Sequence, residues 1–181
     1  MIVLDIETTG LPQIKGFGDY YHPKDTLRYN TSRIVSIAFL TEDGYEKYSI
    51  IKPTDFTIRN SHFHGITQKK AIENGLSLKD FFSKDLLKKI KDTEVILGHN
   101  IHFDINVLLS ELYRQGLYSI YSLLEQKELK CSMKLGQDYF QLKKSPKLTD
   151  LYYTLFQKEF QGSHHALSDA KASLECYQKM L

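Results

Sequence analysis

The stretch MIVLDIETTG, residues 1–10, decides how the rest of the chain is read. Side chains alternate across a pleated strand. As a strand, this stretch puts Met1, Val3, Asp5 and Glu7 on one face and Ile2, Leu4 and Ile6 on the other. Both faces begin apolar, which suits a central strand covered on each side. Two carboxylates then arrive at its exit, directly before the turn Thr8-Thr9-Gly10. Like charges held there repel and lose solvation unless something positive sits between them. A divalent cation meets that need.

The 181 residues outward from this strand are enough for one domain, 1–181, with a sizeable core. Hydrophobic residues make up 41% and charged residues 25%, with 4 Pro and 10 Gly, which argues against a disordered or repetitive chain. The net charge of +2 says little about partners, and two lysine clusters, at Lys84, Lys88, Lys89 and Lys91 and at Lys143, Lys144 and Lys147, read as solvated faces in preference to phosphate-backbone contacts. Cys131 and Cys176 lack metal-type spacing and fit free thiols in a reducing compartment. No run approaches the roughly 20 apolar residues of a membrane span, and the acidic N-terminal stretch does not resemble a signal peptide. A soluble, cytoplasmic protein with no membrane partner is expected.

Residues 11–32 carry Gly, Pro and aromatics without periodicity and read as a long loop. Runs of β-branched and aromatic residues at 33–40 and 45–51 flank Glu42-Asp43-Gly44 and predict a hairpin, hence a three-stranded antiparallel meander. Helical spacing covers 67–74 and 78–90, the latter with Phe81, Leu86, Leu87 and Ile90 as its apolar set. A short buried strand follows at 93–98. Asn100 suits the N-cap of a helix running to about Arg114 and ended by Gly116. Further helices are expected within 118–126, 132–138 and 148–156, and a last one from near His165 to Leu181.

Two more acids fall in stripes that periodicity assigns to the core. Asp104 shares one with Asn100, Val107, Leu108 and Leu112, and Asp169 shares one with Ala166, Ala170, Ser173 and Tyr177. A single aspartate so placed is as readily a structural hydrogen-bonding group as a functional one, since buried charges are usually partnered. Two of them, alongside Asp5 and Glu7, favour function. Among the histidines, His22, His62, His99 and His102 read as surface or capping residues. His164 and His165 lie at the mouth of the last helix, five and four residues before Asp169. An imidazole there suits proton abstraction near neutral pH, and spacing alone leaves both open. Zinc is open too, but a carboxylate-rich set favours hard cations such as Mg²⁺ or Mn²⁺.

DIETTG at 5–10, HNIHFD at 99–104 and HHALSD at 164–169 together resemble the three exonuclease motifs of the DnaQ-like, or DEDDh, 3′–5′ exonucleases. HGIT at 64–67 and KLTDLY at 147–152 are weaker matches between them. The resemblance spans nearly the whole chain and implies an α/β, RNase H-like fold. That fold is a five-stranded mixed sheet, its first three strands antiparallel, with helices on both faces. It implies that Asp5, Glu7, Asp104 and Asp169 are metal ligands and that His164, the first position of HxAxxD, is the catalytic base, with His165 as the fallback. It further implies substrate contacts from Thr8, a wedging Leu11, a terminal-nucleotide pocket lined by His64 and Ile66, and an ordering role for Asn100.

Two divalent cations, Mg²⁺ or Mn²⁺, would stabilise the attacking and leaving oxygens of an in-line phosphoryl displacement. In that reading Asp5 bridges the two, Glu7 and Asp169 complete one site, and Asp104 holds the second through water. The expected reaction releases nucleoside 5′-monophosphates from single-stranded 3′ ends, of DNA first and of RNA as the alternative. A non-cutting nucleic-acid or polymerase-associated module is a third reading, disfavoured by the intact set of acids. The 11–32 loop, with Phe17, Tyr20, Tyr21 and Arg28, is the candidate for tuning substrate choice. Because the last helix is expected to reach Leu181, a DNA polymerase partner would have to use the domain surface.

Overall fold

Strand β1 (Ile2–Thr8) buries Ile2, Leu4 and Ile6 against one layer of helices and Val3 against another, as its alternation predicts. The computed structural model in which it lies describes residues 1–16 and 18–181. A small antiparallel pair follows, β2 (Ile14–Gly16) with β3 (Asp19–Tyr20), and then a 3-10 turn over Thr26–Tyr29. The 11–32 region is therefore not the plain loop expected of it: Tyr29 is fully buried, and its hydroxyl donates to the Tyr21 carbonyl. Phe17, expected to help tune substrate choice, lies outside the described residues.

The predicted hairpin forms from β4 (Ile34–Thr41) and β5 (Glu46–Ile50). Helices α1 (Ser61–His64), α2 (Gln68–Asn74), α3 (Leu78–Phe81) and α4 (Lys84–Lys91) come next. The single helix expected over 78–90 is thus two. Phe81 and Phe82 are both buried, and the break that lets both turn inward restarts at Ser83, whose hydroxyl accepts from the Leu86 amide. Beyond it come β6 (Val95–Gly98), α5 (Ile101–Arg114), α6 (Tyr118–Glu125), β7 (Glu128–Cys131), α7 (Ser132–Tyr139), α8 (Leu148–Phe156) and α9 (Ala166–Lys179).

The five-stranded sheet runs β5-β4-β1-β6-β7. Its first three strands in chain order, β1, β4 and β5, pair antiparallel, while β6 and β7 add in parallel, so the sheet is mixed as expected. Ile2, Leu4 and Ile6 pack with Leu86, Ile90, Val107, Leu108 and Leu112 of α4 and α5. On the opposite face Val3, Ala38 and Leu97 pack with Ala166, Ala170 and Tyr177 of α9. The alanines, with the fully buried Ser173, let α9 lie close to the strands. The ladder between β1 and β4 is regular from Ile2↔Thr41 to Glu7↔Ser36, then skips a residue to Thr8↔Ile34. The extra residue, Val35, lies on β4, opposite the point where the acids end.

Candidate active site

At the exit of β1 three elements bring their acids together. Asp5 and Glu7 stand on the face covered by α9, which carries Asp169 in its first turn. Asp104 comes from the first turn of α5, and its Oδ1 accepts the Ile6 amide at 3.0 Å. Gly98 makes that approach feasible: a Cβ there would meet the Leu4 carbonyl at 2.8 Å and Ile101 Cδ1 at 2.9 Å. Asn100 does hold the N-cap position of α5, but its backbone is left-handed (φ 64°) and its side chain caps nothing, contrary to expectation. The side chain lies by the Tyr20 hydroxyl instead.

The electrostatics of the cluster are those of unneutralised acids. Burial, followed by the charges of Asp104, Asp169 and Glu7, pushes the Asp5 carboxyl well above the usual range. Burial also raises Asp104 strongly, against the pull of its bond from the Ile6 amide. Glu7 is pushed up to about 7 by burial and Asp169. Asp169 is pushed to about 6 by burial, held back by His164. Its Oδ2 accepts the His164 amide at 3.0 Å, while its buried Oδ1 has no hydrogen-bond partner among the described residues. Atoms of Glu7, His164 and Asp169 that can ligate a metal all lie within 4.8 Å of one another. An unpartnered carboxylate oxygen among repelling oxygen donors fits a hard divalent cation.

Those shifts make a sign-definite forecast for the protein stripped of divalent cations. Carboxyls with raised folded-state values stabilise the fold below their unfolded values, near pH 4, and lose that contribution as pH rises through the folded ones, here about 6 to 7. For Glu7, a change from 4.5 to about 7 is worth about 3 kcal/mol in full, and partial exposure lowers it to roughly 1–2 kcal/mol. In chelator the melting temperature should therefore fall by several degrees between pH 5 and pH 8. Glu7→Gln should flatten that slope, and millimolar Mg²⁺ should oppose it. A melting temperature independent of pH in chelator would mean the acids are not crowded as described.

The two neighbouring histidines part company. His164 sits in the left-handed region (φ 64°) beside Glu7 and Asp169. His165, the N-cap residue of α9, stacks its ring on Tyr48 with centroids 4.4 Å apart. Around them, the turn after β1 is tied down. The Thr9 amide donates to the Arg33 carbonyl, Thr31 Oγ1 donates to the Leu11 carbonyl at 2.7 Å, and Asn60 Nδ2 donates to the Thr8 carbonyl at 2.8 Å. Leu11 projects from this turn 76% exposed, at one wall of a groove of about 810 Å³ shared with Tyr20, Asn100, Phe103 and Met133.

His64 Nδ1 lies 3.2 Å from the Ile66 amide, so that nitrogen accepts, and Nε2, 3.3 Å from Asn60 Oδ1, carries the proton. Burial, with His62 and His164 nearby, holds the His64 imidazole below its ordinary value. Ile66 does not line an open pocket as expected. It is 3% exposed and packs with Val35, Ile50, Ile58 and Ala71. Asn60, the link between His64 and Thr8, escaped the sequence reading because it belongs to no motif or periodic stripe. His99, expected at the surface or in a cap, is partly buried between Ser132 Oγ and the Pro146 carbonyl, and burial lowers it to about 4.

Comparison with known proteins gives this geometry a context. The family model RNase_T, described as an exonuclease, matches residues 2–177. A DNA polymerase III of PolC type from Caldanaerobacter subterraneus subsp. tengcongensis is 29% identical over 183 residues, which is 99% of this chain and 11% of the polymerase. Escherichia coli exonuclease I in complex with a dT13 oligonucleotide has a TM-score of 0.70 at 19% identity, across 99% of this chain and 40% of that one. The RNase domain of the yeast Pop2 protein has a TM-score of 0.67 at 13% identity, across 99% and 75%. The chain thus spans about a tenth of the polymerase and two-fifths of exonuclease I. Among the described residues no helix is long and apolar enough to cross a membrane.

Proposed function

The chain belongs to the RNase_T exonuclease family, of DnaQ-like 3′–5′ exonucleases, and on that premise we propose that it removes nucleoside 5′-monophosphates from the 3′ ends of single-stranded DNA. One observation carries the proposal: four carboxylates from three elements meet beside an imidazole, one of them with a buried oxygen that has no partner among the described residues. Asp5, Glu7 and Asp169 would hold one divalent cation and Asp5 with Asp104 the second. Bound there, the two would stabilise the attacking and leaving oxygens of the phosphodiester.

The chain's own groups do the rest. His164 takes the proton of the attacking water, and the left-handed backbone at 164 presents its ring towards Glu7 and Asp169. The turn from Thr8 to Leu11, braced by Asn60, Thr31 and Arg33, holds the 3′-terminal nucleotide, with Leu11 as a wedge against the next base. His64 acts on the terminal-nucleotide side through that brace, Ile66 only by holding the His64 ring, and Asn100 orders the groove beside Tyr20. DNA rather than RNA is supported by the relative being a DNA polymerase and by the dT13 in the exonuclease I complex. The polymerase relative likewise supports work as a proofreading partner.

End-labelled single-stranded DNA and RNA of one sequence, incubated with and without Mg²⁺, test this directly. Mononucleotide release from DNA, absent in chelator, is the expected result. Preferential release from RNA would replace the DNA reading by an RNase, and binding without any release in Mg²⁺ or Mn²⁺ would defeat the enzyme reading.

A further inference from the structure

Two adjacent histidines lead into α9, and only His164 turns to the acids. The other explains how it is kept there. The segment from Gln161 to His165 is exposed and has no regular structure, yet its end must hold an imidazole near Glu7 and Asp169. The backbone at His164 is left-handed, a conformation uncommon for an L side chain. Two contacts bracket it. On one side the His164 amide donates to Asp169 Oδ2. On the other, His165 lays its ring on Tyr48, 4.4 Å between centroids and 29° between planes.

Tyr48 is a well-founded support. It pairs with Ala38 in β4, and Ala38 pairs with Asp5 in β1, so the three form one row across the sheet. Residues paired in this way project from the same face. Tyr48 therefore stands on the acid-bearing face, two strands from Asp5, with only an alanine methyl between them. Its ring packs against both small core clusters of that region. The stack ties the base-bearing segment to the same rigid sheet that carries the acids.

We propose that the Tyr48–His165 stack positions His164, so that His165 is a positioning residue and not a second base. This rests on the reading of His164 as the proton acceptor. An aromatic pair of this kind is worth about 0.5–1.5 kcal/mol, which converts to a rate effect of up to roughly tenfold.

The test compares His165→Ala, His165→Phe, Tyr48→Leu and the double variant His165→Ala with Tyr48→Leu, alongside His164→Ala, all on a single-stranded DNA substrate. His165 is exposed, so its replacement leaves the core untouched. The expected result is a kcat roughly two- to tenfold lower for His165→Ala and for Tyr48→Leu, with KM unchanged. The double variant should be no worse than either single one, and His165→Phe should stay near wild type. In the metal-free protein, the His165 ring protons should show an upfield ring-current shift in NMR spectra that Tyr48→Leu removes.

Wild-type turnover in His165→Ala, with His164→Ala collapsed, would overturn the stack and leave the base reading standing. A His165→Phe variant as impaired as His165→Ala would also overturn it, since the ring nitrogens and not the stack would then matter. Wild-type turnover in His164→Ala would instead bring down the base reading itself.

Discussion

Asp5→Ala and Asp169→Ala should each leave no measurable release of mononucleotides, a loss of at least about 10⁴-fold, while the folded structure persists. Catalysis that depends on bound cations ends when their ligands go, and neither acid supports a layer of the core. Asp5 stands at the row shared with Ala38 and Tyr48, where its carboxyl is repelled by Asp104, Asp169 and Glu7. Removing it relieves that repulsion, so metal-free Asp5→Ala should melt at or above the wild-type temperature near pH 8. Asp169 has a second duty, since its Oδ2 also accepts the His164 amide. Asp169→Asn should therefore be as inactive as Asp169→Ala yet disturb the His164 backbone less. Turnover within tenfold of wild type in Asp5→Ala or Asp169→Ala, on protein freed of metal and reloaded, would remove these residues from the site.

His164→Ala should cost roughly 10²- to 10⁴-fold in kcat, the usual share of a general base. Its imidazole lies beside Glu7 and Asp169, whereas that of His165 is stacked on Tyr48. The acids and their cation affinity should survive the change, because the amide that bonds Asp169 remains. KM should accordingly move little while kcat collapses. Exogenous imidazole should restore part of the rate to His164→Ala and none to Asp5→Ala. A loss below about tenfold would assign proton removal to some other group.

Much of the fold is legible in β1 alone. Its alternation places Ile2, Leu4 and Ile6 against one layer and Val3, Asp5 and Glu7 against the other, as the packing bears out. The stripes through Asp104 and Asp169 pointed to buried faces, and both helices lie as periodicity required. What pattern could not supply was β7, whose residues Glu128 to Cys131 are polar or half-exposed and lie at the sheet edge. Nor could it separate α3 from α4, because Phe81, Leu86, Leu87 and Ile90 keep helical spacing across the break before Ser83 that buries Phe82 as well. Asn60 and Tyr48 were invisible for a different reason. Their parts depend on what lies across the fold from them, Thr8 for one and His165 for the other.

The arrangement of α9 has a consequence for chains that break or stop early. Asp169 and His164 enter the site together from one segment, more than 150 residues after Asp5 and Glu7. A chain cut between residues 104 and 164 keeps Asp5, Glu7 and Asp104 on its N-terminal piece but loses Asp169 and His164 at a stroke. One cut in that span therefore leaves neither piece with the full cluster of four acids and His164.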